Sequence, residues 1–229
     1  GNLMEGVSRL NRRVVITGMG AVTPIGNNLS SFWQGVREGC CGIGPITQYD
    51  ATEQKVRLAA EVDIDLSGLI PGAELRRMDR FTQLGVVAAR EALADSGLVS
   101  GGFDPDRCGV LVSSGIGGLG TIQGECARGA QRGFDRVSPF FIPMSISNMA
   151  AGRIAIEAGF HGYSASVVTA CAGGANAIGD AMRMIRHGYA DVMLCGGAEG
   201  CIIPLAVGGF TSMKALTECD DPRRASIPF

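Results

Sequence analysis

Four short runs of β-branched and aliphatic residues, each closing on a turn or a reactive side chain, constrain this chain more than any other feature. They are Val14-Val15-Ile16-Thr17 ahead of Gly18-Met19-Gly20, residues 109–114 ahead of Gly115, residues 165–170 ahead of Cys171, and residues 192–195 ahead of Gly196-Gly197. Their near-continuous apolar character predicts strands covered on both faces. Between them lie stretches of helical period. Residues 79–96 bring Phe81, Leu84, Ala88 and Ala92 to one face and stop at Gly97, and residues 172–187 bring Ile178, Ala181, Met182 and Ile185 to one face and stop at Gly188. Strands alternating with helices imply an α/β layered fold.

No Pro/Ser-rich linker or low-complexity block divides the chain, and Pro139 and Pro143 bracket only a short break around Phe140-Phe141, so the sequence reads as one structural unit. With 46% hydrophobic and 18% charged residues the composition suits a compact fold rather than disorder. A net charge of −2 argues against a chain whose main task is to neutralise nucleic-acid phosphates. No apolar run approaches the roughly 20 residues that span a bilayer, and Gly1 through Arg13 lack the apolar core of a signal peptide, so a cytoplasmic protein is expected. Residues 1–12 read as an N-terminal tail, with Gly1-Asn2-Leu3 ahead of Met4 a tag remnant.

Eight cysteines stand at 40, 41, 108, 126, 171, 195, 201 and 219, without a Cys-x-x-Cys pair and with only His161 and His187 to complete a metal site. No structural zinc is expected. Seven of them read as small buried hydrophobes. Cys171 differs in context, because an apolar strand delivers it to the start of a helix. There the positive end of the helix dipole and unpaired backbone N–H groups favour thiolate over thiol. Ala172, Gly173 and Gly174 leave the sulfur uncrowded, and the Cys171 N–H can serve as half of an oxyanion hole.

The run Thr169-Ala170-Cys171-Ala172-Gly173-Gly174 resembles the nucleophile segment of the β-ketoacyl-acyl carrier protein synthases, the elongating condensing enzymes of fatty acid synthesis. Further stretches agree in order: Arg13-Val14-Val15-Ile16-Thr17-Gly18-Met19-Gly20 with Thr23-Pro24-Ile25-Gly26, Gly115-Ile116-Gly117-Gly118-Leu119-Gly120, Ser138-Pro139-Phe140-Phe141-Ile142-Pro143, Cys195-Gly196-Gly197-Ala198-Glu199 and Val207-Gly208-Gly209-Phe210. The resemblance covers residues 12–229 and is strongest to the synthase II subtype. It implies a thiolase-like fold, with residues 13–229 forming the N-terminal half of a duplicated α-β-α-β-α architecture.

The function it implies is acyl transfer: Cys171 takes an acyl group from acyl carrier protein, malonyl-carrier protein is decarboxylated, and the enolate attacks the acyl-cysteine. No cofactor is implied. A homodimer is, with acyl and malonyl carrier proteins as partners. The resemblance also places Ile116, Phe141 and Phe210 along the acyl pocket, Phe141 reaching toward a dimer mate, and Arg76, Arg77, Arg136 and Lys214 at the carrier docking face. Core packing and a solvated basic face are the plainer readings of these two groups. In the family two histidines, a lysine and a second oxyanion N–H belong to the second half of the duplicated fold. Neither His161, in a loop, nor His187, at a helix end, matches those histidines, so the chain as it stands is an incomplete catalytic set. A polyketide-type ketosynthase and a non-catalytic half-chain pairing with a synthase subunit or carrier protein are the alternatives.

Two further patterns stand in the sequence. Gly115-Ile116-Gly117-Gly118-Leu119-Gly120 satisfies Gly-x-Gly-x-x-Gly after a strand, but no acidic residue closes a following strand about 20 positions on, so the dinucleotide fingerprint is incomplete. Arg76, Arg77 and Arg80 at a helix start and Arg128, Arg132 and Arg136 in steps form two basic series.

Overall fold

The computed structural model describes residues 12–98 and 102–227; the tail up to residue 11, and with it the tag remnant, lies outside the described residues. Helix α1 (Leu29–Glu38) starts on a reciprocal cap between Asn28 and Ser31 and stops at Gly39, whose φ of 65° turns the chain out of the helix. A two-stranded antiparallel hairpin follows, β1 (Ile43–Pro45) with β2 (Leu58–Ala60). A short helical turn, α2 (Gly72–Leu75), leads into α3 (Arg80–Asp95), capped by the Asp79 carboxylate accepting from the Phe81 N–H. α3 fills nearly all of residues 79–96, the stretch expected from the helical period and the stop at Gly97.

The remaining elements are, in order, β3 (Cys108–Ser113), α4 (Leu119–Arg132), α5 (Phe141–Ser145), α6 (Met149–Ala158), β4 (Ser164–Ala165), α7 (Gly173–Arg186), β5 (Val192–Gly197) and α8 (Pro204–Ser212). Strands β4, β3 and β5 form a parallel sheet in that order, with Val110 opposite Ser164 and the whole of β3 in register with β5. All six residues of central β3 are buried, as its apolar run requires.

Helices cover both faces of this sheet. On one side Cys108, Val110 and Val112 pack with Phe81 and Val86 of α3 and with Ala150, Ala151, Ile154 and Ala155 of α6. Phe81 is fully buried, a burial that contributes about 1.5–3 kcal/mol. On the other side α7 lies against β3 and β5. Its buried side chains are Ala177 and Ala181, while Ile178 is 49% exposed and Met182 37%. The expected apolar face is therefore rotated: small residues press on the sheet and the larger ones turn outward. The cause is close approach, because a Cβ on Gly197 would stand 3.1 Å from the Gly174 Cα.

Three other expectations are corrected. Residues 14–17 form no strand, and Ile16 is 77% exposed. The stretch just after them is drawn to α3 instead of the sheet: the Met19 N–H donates to Asp95 and the Ala21 N–H to Glu91. A Cβ on Gly18 would lie 2.9 Å from the Ser96 Cα, and one on Gly20 would lie 2.9 Å from the Ala92 N, so only glycine allows that contact. It also explains why Ala88 and Ala92 meet backbone rather than core. The strand expected over 165–170 pairs only at Ser164–Ala165, and the chain then leaves the sheet. Finally, among the cysteines read as buried, only Cys108 is fully so. Cys40 and Cys41 follow the α1 cap, Cys126 sits on α4, whose buried residues are only Glu125 and Gly129, and Cys195 is on edge strand β5; all four are exposed, and Cys201 and Cys219 are half-buried.

Candidate active site

The carboxyl ends of the three parallel strands bring three loops to one edge of the sheet, where α/β folds bind ligands. The loop after β4 carries Cys171, in a 3-10 turn over Ala170–Ala172 that runs directly into α7. Ala170 has a φ of +50°, a left-handed conformation that costs a non-glycine residue about 1 kcal/mol or more. That strain bends the chain sharply and leaves Cys171 exposed. The Thr169 hydroxyl donates to Asn176 Oδ1 at 2.9 Å, tying the approach to the second turn of α7.

Ala172 is the N-cap of α7 and offers no side-chain acceptor, so the first-turn N–H groups are not neutralised by a cap. Burial pushes the Cys201 thiol up, and the Glu199 carboxylate adds to the effect. Gly173 and Gly174 seat α7: a Cβ on Gly173 would lie 2.9 Å from the Ser113 Cβ and closer still to its Oγ.

The loop after β3 carries Ile116, 40% exposed. Its Gly118 N–H donates to the Ser145 carbonyl at 3.1 Å, which sets the loop beside α5 and its first residue, half-buried Phe141. Phe210 is 38% exposed and arrives separately on α8, which the Gln123 side chain ties to α4 by accepting from the Leu205 N–H at 2.8 Å. The three pocket candidates thus present partly open surfaces. The Gly-x-Gly-x-x-Gly loop is occupied from within: Glu199 accepts from the Gly115 N–H at 2.8 Å, so a carboxylate stands where a phosphate would be received.

Among the docking candidates, Arg76 and Arg77 lie in the turn between α2 and α3, because Asp79 delays the helix start to Arg80. The Arg77 guanidinium stands 4.9 Å over the Phe140 ring, and Arg136 closes the 3-10 turn Phe134–Arg136 a few residues before that ring. Arg80 is withdrawn from the series; half-buried, it donates to the Val62 carbonyl at 3.2 Å. Exposed Lys214 follows α8 with a φ of +60°, and no hydrogen bond or ion pair of its side chain joins it to the arginines among the described residues. His187 is the C-cap of α7, about 21 Å of helix away from Cys171. His161 is exposed beside Asp106, and its N–H donates to the Pro105 carbonyl at the opposite end of β3. Both histidines sit where the sequence put them, away from the thiol. Sequence reading missed Glu199 and Ser114, two groups that organise the loops; their signal is an acidic residue or serine directly after a strand.

A family model described as β-ketoacyl synthase, N-terminal domain, matches residues 11–229. The chain belongs to the β-ketoacyl synthase family. It is 48% identical over 220 residues to 3-oxoacyl-[acyl-carrier-protein] synthase 2 of Synechocystis sp., covering 95% of this chain and 53% of that protein. The protein of the same name from Staphylococcus aureus is 44% identical, covering 96% and 53%. The chain spans about half the length of the curated relatives it matches. Among solved structures it is similar to the ishigamide ketosynthase/chain length factor (TM-score 0.83, 30% identity, 90% of this chain and 52% of that one). A β-ketoacyl synthase from Burkholderia phymatum gives a TM-score of 0.80 at 28% identity, covering 95% and 53%. A type II PKS acyl-carrier protein in complex with its ketosynthase gives 0.72 at 29%, covering 87% and 55%. The layered α/β fold expected from the sequence is that of the ketosynthase family, and this chain corresponds to its N-terminal half. Among the described residues no helix is long and apolar enough to cross a membrane.

Proposed function

We propose that this chain supplies the nucleophile of a 3-oxoacyl-acyl carrier protein synthase of fatty acid biosynthesis, with Cys171 as the acyl acceptor. The observation that carries the reading is the exposed thiol in a strained turn ahead of an uncapped helix N-terminus. The Cys171 thiolate attacks the carbonyl carbon of a carrier-bound thioester, and the new C–S bond forms as charge gathers on the carbonyl oxygen. Collapse of that intermediate breaks the old C–S bond and releases the carrier thiol, which takes up a proton. In the second half-reaction the malonyl-carrier C–C bond to the carboxylate breaks with loss of carbon dioxide. The electron pair left as an enolate attacks the acyl-cysteine and returns the Cys171 thiolate, giving a β-ketoacyl product two carbons longer.

Ile116, Phe141 and Phe210 line the path of the acyl chain in this reading, and their partly open apolar surfaces suit it. Arg76, Arg77, Arg136 and Lys214 steer the acidic carrier protein, in acyl and malonyl forms. The complete protein acts as a homodimer in the cytoplasm, a reducing compartment that suits eight free thiols. The outward Ile178 and Met182 of α7 support a further layer of protein over this helix. A polyketide ketosynthase is the second reading, favoured by the similarity to a type II PKS acyl-carrier protein in complex with its ketosynthase.

Condensation is the test. The complete gene product, given acyl-carrier and malonyl-carrier proteins, forms a β-ketoacyl-carrier product with release of carbon dioxide, and Cys171→Ala abolishes it. Product formation that survives Cys171→Ala overturns the assignment. Carrier binding without any condensation by the complete gene product favours the non-catalytic partner.

A further inference from the structure

The loop bearing Ile116 is rich in glycine and has few side chains of its own to fix it; a carboxylate from another strand does so instead. Strands β3 and β5 are parallel and in register, with Ser113 opposite Gly197, so Glu199 just after β5 meets Ser114 and Gly115 just after β3. One carboxylate oxygen accepts from the Ser114 hydroxyl at 2.9 Å and the other from the Gly115 N–H at 2.8 Å. The Ser114 Oγ in turn accepts from the Gly117 N–H at 2.9 Å. Backbone on both sides of Ile116 is therefore anchored through one side chain. At the far end of the loop Asp79 accepts from the Thr121 N–H at 2.9 Å and from its hydroxyl at 2.7 Å.

Hydrogen bonds to an ionised acceptor are about twice as strong as neutral ones, and Ser114 is 2% exposed, so the relay through it is shielded from water. Ile116 is 40% exposed and Gly117 has a φ of +73°, so its position follows the backbone more than its own packing. We propose that Glu199, acting through Ser114, is a positioning residue that sets how far Ile116 projects into the acyl site and thereby which acyl chain lengths Cys171 accepts. This rests on the reading of Cys171 and Ile116 given above. Glu199→Gln puts an amide N–H against the Gly115 N–H or the Ser114 relay and frees one side of the loop; Ser114→Ala breaks the relay while leaving the carboxylate.

The experiment follows acylation of Cys171 in the complete gene product by intact mass, using acyl-carrier donors of graded chain length. Glu199→Gln and Ser114→Ala each shift the ratio of long-chain to short-chain rates in the same direction by about tenfold, a change of ~1.4 kcal/mol in relative barrier, while the shortest donor changes little. Ile116→Ala moves the ratio too, and Glu199→Gln adds nothing in that background, because the carboxylate acts through Ile116. A uniform fall across all donors, an unmoved ratio in both variants, or an undiminished Glu199→Gln effect in the Ile116→Ala background overturns the proposal alone. Failure of every donor to acylate Cys171 in the unsubstituted protein overturns the parent reading and this one with it.

Discussion

Gly173→Ala sets two physical effects against each other. Gly173 has φ −55° and ψ −43°, an ordinary right-handed helical conformation, and alanine is favoured over glycine in a helix by about 1 kcal/mol. Propensity alone therefore predicts a more stable protein. Packing predicts the reverse. The new Cβ would lie 2.9 Å from the Ser113 Cβ, and ordinary contact begins near 3.4 Å. Rotating the Ser113 hydroxyl away does not relieve this, because the Cβ stays on the backbone of a fully buried strand. The first turn of α7 must retreat by at least roughly half an ångström, and overpacking of this kind costs about 1–3 kcal/mol. The net expectation is a loss of up to about 2 kcal/mol in urea unfolding. Cys171 lies two residues upstream and moves with the turn. Since a 1 Å misplacement costs roughly 100-fold, acylation should fall about tenfold. Adding Ser113→Gly removes the opposing Cβ and should restore much of both. A Gly173→Ala protein that is more stable than the parent, with unchanged acylation, refutes the packing argument.

Three further outcomes are expected. Ala170→Val places a β-branched residue at φ +50° and should cost about 1–3 kcal/mol in thermal or urea unfolding, with slower acylation at Cys171; an unchanged midpoint would mean the turn is not strained. Asp79→Ala removes the cap on α3 and strands the Thr121 N–H and hydroxyl, so urea unfolding should lose about 2–4 kcal/mol, summing a lost cap and unsatisfied groups. Asp191 is held below the usual carboxylate range by hydrogen bonding to Arg107 first and by Arg12 as well. Its stabilisation is therefore present above the unfolded carboxylate pKa of about 3.9 and is lost as pH falls through the depressed folded value. Because the pair is half-exposed, the gap between parent and Asp191→Asn should be about 1 kcal/mol or less at neutral pH and should close below that window; a gap that widens in acid contradicts the sign.

How much of this was legible depended on whether a residue's role is local. Asp79 and Gly97 bound α3 through caps that act within one turn, and the sequence displays both. The run ending at Ser113 is buried on each face and reads as such. Cys171 at the start of α7 was legible because its turn runs directly into the helix, although the strand before it ends at Ala165. The outward turn of Ile178 and Met182 was not, because apolar period alone ignores how closely a helix can approach. The spacing of Gly173, Gly174, Ala177 and Ala181 carried that information. The departure of residues 14–17 from the sheet is set by contacts of Gly18 and Gly20 with a helix about 70 residues later. The role of Glu199 required the register of β3 with β5, which no local pattern encodes.

The central claim is that one thiol of eight accepts the acyl group. It is tested most directly by incubating the complete gene product with an acyl-carrier donor, measuring intact mass, and mapping the modified peptide. The account predicts one acyl adduct per chain, located on Cys171, absent from Cys171→Ala, with Cys195 and Cys201 unmodified. An adduct on any other cysteine, or one that persists in Cys171→Ala, would contradict it.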